Sequence, residues 1–542
     1  MLLEQINSPK DLKKLNQKDL PRLADEIRRE IIDVVSKTGG HLASSLGAVE
    51  LAIAVHYVLD TPRDKVLWDI GHQAYAHKIL TARREAFKTL RQLGGISGFP
   101  NKDESEYDIF TVGHSSTSLS SALGLAVARD IRGTDEKIVA IIGDAALANG
   151  MAFEAMNHIG HLKKDIIVIL NDNELSISKT VGALSHYLNT ILVNPIYNRI
   201  HQDLENLVKR IPRFGLGAYR AARKFEEGVK NLLVPGIFFE ELGFRYLGPI
   251  DGHSIDKLIN KLRSIINLKG RPILLHTITK KGKGYKFSEQ SPSVFHGSTP
   301  FDKISGRSLE AEKKVATYTS AFSEKIVELA ERRSDIVAVS SAMLQGTGLD
   351  KFADRFPDRI FDVGIAEEHA VTFAAAMARG GLKPFVAIYS TFLQRAYDQI
   401  IHDVCLQGLG VVFCLDRAGL VGEDGMTHNG MFDIAYLRHI PNMILAAPKD
   451  VEELKAMMEL AANTDKPFSI RYPRGGELFG FEKYLPPSKV ELGKAEVLRD
   501  GKHLVIFALG SMVNISLKAA ELLSKVGIQA LLVNTRFVKR LD

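Results

Sequence analysis

Short runs of β-branched and other apolar residues alternate along this chain with longer stretches whose apolar positions recur at helical spacing. Ile138-Val-Ala-Ile-Ile142 predicts a buried strand, Met151 to His161 a helix, and Ile166-Ile-Val-Ile-Leu170 the next strand. Uninterrupted apolar strands are what a parallel sheet covered on both faces requires, so this is read as a βαβ unit. The pattern returns at Ile336 to Val339, Ile360 to Val363, a helix over Ala366 to Arg379, and Pro384 to Ile388. Val411 to Leu415 and Met443 to Ala447 continue it, and Leu504 to Ala508 with Ala530 to Val533 begin a third unit. The fold class expected is therefore α/β, with two parallel-sheet domains followed by an incomplete C-terminal α/β domain.

Boundaries follow from breaks in the pattern. Gly282 to Gly306 is rich in Gly, Ser, Pro and Lys and reads as a loop or linker, and Pro486-Pro487 marks a second break. The expected domains are 1–305, 306–484 and 485–542. Residues 195–235 are basic, interleaved with acids and helix-prone, which predicts a solvated helical insertion in the first domain.

Composition narrows the function classes. A chain of 542 residues with 45% hydrophobic and 25% charged residues is an ordinary globular mix. The net charge of +6 is small for this length, which argues against nucleic acid but suits phosphorylated substrates. Two cysteines, Cys405 and Cys414, build no disulfide framework and point to a reducing compartment. No run of about 18 uncharged apolar residues occurs, so no membrane span is expected. The N-terminus lacks a secretory pattern, so a soluble cytoplasmic protein is expected.

The chemistry concentrates at predicted strand ends, where open α/β sheets bind ligands. Asp144, in Gly143-Asp144-Ala145, and Asn173, 29 positions later, offer a carboxylate and an amide oxygen. That pair suits Mg²⁺ bridging to phosphates. It equally suits a helix cap and a turn. Glu367 opens a predicted helix after Gly364-Ile365-Ala366. A carboxyl in an apolar pocket there has a raised pKa and can share a proton, though an acid is also simply favoured at a helix start.

The spacing of Gly-Asp to Asn resembles the thiamine-diphosphate motif, with Ala145 where that motif has its second glycine. Gly39-Gly-His41 to Gly47, Trp68-Asp-Ile-Gly-His72 to Tyr75, and Val112-Gly113-His114-Ser115 resemble the transketolase superfamily. Tyr389 to Gln399, Asp416-Arg417-Ala-Gly419, Asp424 to His428 and Arg471 to Gly475 are similar to the 1-deoxy-D-xylulose-5-phosphate synthase family in particular. The resemblance implies a three-domain transketolase-like architecture and a homodimer, with pyruvate and D-glyceraldehyde 3-phosphate as substrates and both α/β units of one chain serving one active site. It implies decarboxylative condensation to 1-deoxy-D-xylulose 5-phosphate through a thiamine-diphosphate enamine, supplying isoprenoid, thiamine and pyridoxal precursors. Two alternatives share the motifs: a transketolase-type ketol transferase, and a cofactor-binding but inactive or truncated paralogue.

Residue by residue, the resemblance implies Mg²⁺ on Asp144, Asn173 and the backbone of Leu175. Cofactor contacts are implied for His72, Gly113, His114, Ser115, Ala145, Ala146, Lys281, Ile365, Glu367 and Phe392. Proton transfer falls to Glu367 and to His41, His72, His114, His296 and His428. The acceptor phosphate and hydroxyls are assigned to Tyr389, Arg395, Arg417, Asp424 and Arg474, since guanidinium forks match phosphate oxygens.

Overall fold

The computed structural model describes residues 1–173, 182–184, 187, 236–309, 316–476 and 489–539. Leu175, the 195–235 insertion and Pro486-Pro487 lie outside the described residues. The chain divides into two compact units, Met1–Leu309 and Glu310–Asp542.

In the first unit, β1 (Lys65–Trp68), β2 (Ile138–Gly143), β3 (Ile167–Asp172), β4 (Arg245–Asp251) and β5 (Ile273–Ile278) form a parallel sheet. Their order is β1-β2-β3-β5-β4. Side chains alternate between faces along a strand, and here both faces are covered. Val139, Ile141, Ile169 and Leu275 join one core, with helices Leu20–Thr38, Val49–Val58 and Ile255–Ile265. Ala140, Ile142, Val168 and Leu274 join the other, with Ser118–Arg132 and Gly150–Leu162. This explains the unbroken apolar runs.

The second unit repeats the principle. β6 (Ile336–Ser340), β7 (Ile360–Asp362), β8 (Lys383–Tyr389), β9 (Val412–Asp416), β10 (Ile444–Ala446) and β11 (Phe468–Arg471) run parallel. A smaller sheet of β12 (Glu496–Arg499), β13 (Leu504–Ala508) and β14 (Ala530–Asn534) follows, and β15 (Phe537–Lys539) returns antiparallel onto β10. The predicted strands and helices are present with ends shifted by at most two residues.

The Gly282–Gly306 segment is no tether. Phe295 and Phe301 are buried in the first core, Gly282 N–H donates to Ala43 O, and Ser298 pairs with Gly40. Two apolar rings anchor a loop that its Gly/Ser/Lys content made look solvated.

Candidate active site

In the first unit the carboxyl ends of β2, β3 and β5 lie side by side, with Gly143 opposite Asn171 and Asp172 opposite Ile278. β2 passes directly into the helix Asp144–Leu147, so Asp144 is buried at the sheet edge. Burial pushes its carboxyl up to about 6; the Asp172 charge adds to this and the Lys281 ammonium opposes it. Lys281 is itself buried and lowered by burial, with Asp144 as its counter-charge. The Asn173 Oδ1 is buried without a hydrogen-bond partner among the described residues. No three His, Cys, Asp or Glu side chains converge on a metal position among the described residues. A cation here would rest on the Asp144 carboxylate, the Asn173 amide oxygen and oxygens of its ligand, a donor set that suits Mg²⁺ on a diphosphate.

Beside them sit three imidazoles. The ring centres of His41, His72 and His296 are 6.0, 5.9 and 5.2 Å apart (41–72, 41–296, 72–296). His72 is held neutral, first by burial and then by the charges of His296, His41 and Lys281. Gly39 and Gly40, both at positive φ, allow this convergence: a Cβ on Gly40 would meet Tyr75 Oη at 2.6 Å, and one on Gly39 the Ser298 carbonyl at 2.7 Å. The loop carrying Gly113, His114 and Ser115 is fastened at its far end. Asp69 accepts the Ser116 and Ser118 N–H groups at 2.7 and 3.1 Å, and Ser116 Oγ donates to the Ala146 carbonyl at 2.8 Å. Ala145 is half-buried beside them.

In the second unit Glu367 is buried at the start of helix Glu367–Arg379. Burial raises its pKa against the opposing charge of Arg395. Its Oε2 lies 3.6 Å from Arg395 Nη1, and Arg395 follows Phe392 on one helical stretch. Ser341 and Asp362 hydrogen-bond the turn around Ile365, fixing the helix entry. At the ends of β8 and β9, Tyr389 and Asp416 are register partners. The Arg417 guanidinium stacks 3.7 Å over the Tyr389 ring, which packs on Phe392, which in turn meets His428 edge-on at 5.5 Å. Burial pushes the Tyr389 hydroxyl up to about 12, with Arg417 opposing and Asp416 adding. Arg474 binds Glu423 at 2.8 Å and feels the charge of Asp424.

Three family models match in order along the chain: 1-deoxy-D-xylulose-5-phosphate synthase over residues 3–279, the transketolase pyrimidine-binding domain over 314–476 and the transketolase C-terminal domain over 493–542. A 1-deoxy-D-xylulose-5-phosphate synthase of Caldanaerobacter subterraneus subsp. tengcongensis is 54% identical over 100% of this chain and 86% of its own length. That of Syntrophus aciditrophicus is 54% identical over 100% and 83%. The chain belongs to the 1-deoxy-D-xylulose-5-phosphate synthase family. A solved transketolase of Campylobacter jejuni aligns at 20% identity over 96% of this chain and 89% of that one, with a TM-score of 0.41.

Within this synthase-family chain, the structure groups His41, His72 and His296, and separately Tyr389, Phe392, Arg417 and His428. It places Arg395 opposite Glu367. Sequence reasoning passed over Asp69, which secures the His114 loop, and Asp416, buried and pushed to about 6 chiefly by burial, with Thr319 Oγ1 donating to it at 2.8 Å. Both lie inside motifs already singled out, so proximity to those motifs was the available signal.

Proposed function

We propose that this chain condenses pyruvate with D-glyceraldehyde 3-phosphate, with loss of CO₂, to 1-deoxy-D-xylulose 5-phosphate, using thiamine diphosphate and Mg²⁺. The observation that carries the reading is Glu367: a carboxyl buried at a strand-to-helix turn and kept toward its protonated form. Such a group can share a proton with a pyrimidine ring nitrogen. The Asn173 oxygen, without a hydrogen-bond partner among the described residues, and the buried Asp144–Lys281 pair fit the metal–diphosphate end of such a cofactor. When bound, thiamine diphosphate supplies the electron sink that decarboxylation of a 2-keto acid requires.

The chain's own residues do the rest in this reading. Phe392 offers its ring face to the pyrimidine, and Gly113, Ser115, Ala145, Ala146 and Ile365 line the cofactor with backbone and small side chains. His41, His72, His114 and His296 move protons at the acceptor aldehyde oxygen, and a neutral His72 serves as acceptor. Arg417 and Arg474, with the Tyr389 hydroxyl, hold the acceptor phosphate; Asp424 and His428 hold its hydroxyls. Arg395, paired with Glu367, completes that clamp. Family membership supports a homodimer. Two free, buried thiols fit a reducing cytoplasm, and no helix among the described residues is long and apolar enough to cross a membrane.

The test is CO₂ release from pyruvate by the purified chain with Mg²⁺ and thiamine diphosphate, with and without D-glyceraldehyde 3-phosphate. Aldehyde-dependent release with a deoxyxylulose phosphate product supports the reading. Cofactor binding without release points to the inactive paralogue.

A further inference from the structure

His253 lies in the loop after β4, outside every motif assigned above, yet it is bound on both ring nitrogens. Its Nε2 accepts the Lys280 backbone N–H at 2.8 Å. A backbone amide can only donate, so Nε2 is unprotonated and Nδ1 carries the hydrogen, directed at Glu50 Oε2 3.1 Å away. Glu50 is buried, and both its oxygens also accept from Arg28 Nη2. Arg28 Nε reaches on to the Lys283 carbonyl at 3.1 Å. The backbone on either side of Lys281 is therefore held by two groups that meet at Glu50, the His253 imidazole at Lys280 and the Arg28 guanidinium at Lys283, while Gly282 N–H is tied to the Ala43 carbonyl. Burial of the Lys281 ammonium beside Asp144 depends on this stretch keeping its course.

We propose that His253 is a positioning residue for Lys281: its neutral imidazole, oriented by Glu50, fixes the Lys280 peptide so that the Lys281 ammonium stays at the diphosphate end of the cofactor site. At metal centres, a second group that orients a ligand is worth about ten- to a hundredfold in affinity, and the lower end of that range sets the scale here. The inference rests on the reading of Lys281 as a diphosphate partner, and the experiment separates the two.

The measurement is calorimetric binding of thiamine diphosphate, with Mg²⁺, to the full chain and to His253→Gln, His253→Asn, Lys281→Met and the Asn/Met double variant. Glutamine places an oxygen acceptor where Nε2 stood; asparagine keeps a donor near Nδ1 but loses that acceptor. Expected are a loss of about tenfold for His253→Asn and for Lys281→Met, near-native binding for His253→Gln, and a double variant no weaker than Lys281→Met alone. Turnover at saturating cofactor should change less than about twofold in His253→Asn while the cofactor KM rises. Native binding by His253→Asn with weakened Lys281→Met overturns the inference alone. Equal losses in the Gln and Asn variants, or additive losses in the double variant, also overturn it. Native binding by Lys281→Met overturns the reading of Lys281 itself. Should the Asn variant not fold, a loss of about tenfold in His253→Gln, where near-native binding is expected, overturns the inference by itself.

Discussion

Burying the Glu367 carboxyl at the first turn of its helix works against the preference of a helix start for an ionised acid. Burial wins over the Arg395 charge, and the folded pKa is raised from its ordinary 4.5. Below that value the carboxyl is protonated folded and unfolded, and nothing differs. As pH rises past it, the unfolded chain releases the proton while the folded chain keeps it, so folding loses stability until pH passes the raised value. Glu367→Gln removes this loss. Denaturant unfolding of the cofactor-free proteins from about pH 5 to about pH 8 should show the variant gaining on the parent as pH rises; a constant difference would refute it. Its kcat should nevertheless fall roughly 10²–10⁴-fold, the usual scale for removing a proton-transfer group. Arg417 argues differently, because its stacking on Tyr389 aims one guanidinium at a fixed place. Arg417→Ala should raise the KM for D-glyceraldehyde 3-phosphate at least about tenfold and the pyruvate KM far less. Equal rises in steady-state kinetics would take Arg417 out of the phosphate clamp.

Elements explain why some of this was legible in the sequence and some was not. Ile138 to Ile142 and Val411 to Leu415 announce themselves because both faces of each strand are buried. β1 has only four residues, too few for a pattern, and β4 contains Gly248-Pro249, a turn signal that the strand absorbs as a register shift between Leu247 and Ile250. The histidine motifs were visible, but their convergence was not: His296 reaches His41 only because Phe295 and Phe301 pack an apparently polar loop into the core. The Arg395–Glu367 pairing was hidden for the same reason, since spacing along the chain does not say which side chain a helical turn faces. Asp69 shows how one strand end controls a loop. Its carboxylate takes two backbone N–H groups leading into helix Ser118–Arg132, contacts of a kind worth about 1.5–3 kcal/mol each. Asp69→Ala should therefore lower stability by roughly 3–6 kcal/mol and raise the cofactor KM through the freed His114 loop. Calorimetry showing lost stability with an unchanged cofactor KM would leave Asp69 a purely structural role.

On the scale of the whole chain, each large sheet carries two cores, whereas the sheet of β12 to β14 has little of its own: among the described residues, Ala508, Val513 and Leu532 are the buried members of its cluster. Polar links inside the second unit make up the difference. Glu453, fully buried on helix Val451–Ala462, accepts from the Lys449 N–H at 2.7 Å, Asn534 Nδ2 at 3.0 Å and Arg536 Nε at 2.7 Å. Lys449 Nζ and Arg536 Nη2 both meet Glu496 on β12, at 2.7 and 3.0 Å. Two buried cations thus share two acids, and neutralising the more buried acid leaves a positive charge without its partner. Removing one member of such a set typically costs about 3–5 kcal/mol, against about 0–1 kcal/mol for a surface pair. Glu453→Gln should lower the melting temperature by roughly 6–20 °C, while Glu452→Gln, on the exposed side of the same helix and paired with Lys455, should shift it by less than about 4 °C. Limited proteolysis of Glu453→Gln should then cut first within residues 489–539. Equal melting shifts in the two variants would mean that the C-terminal sheet is held by its packing and not by these charges.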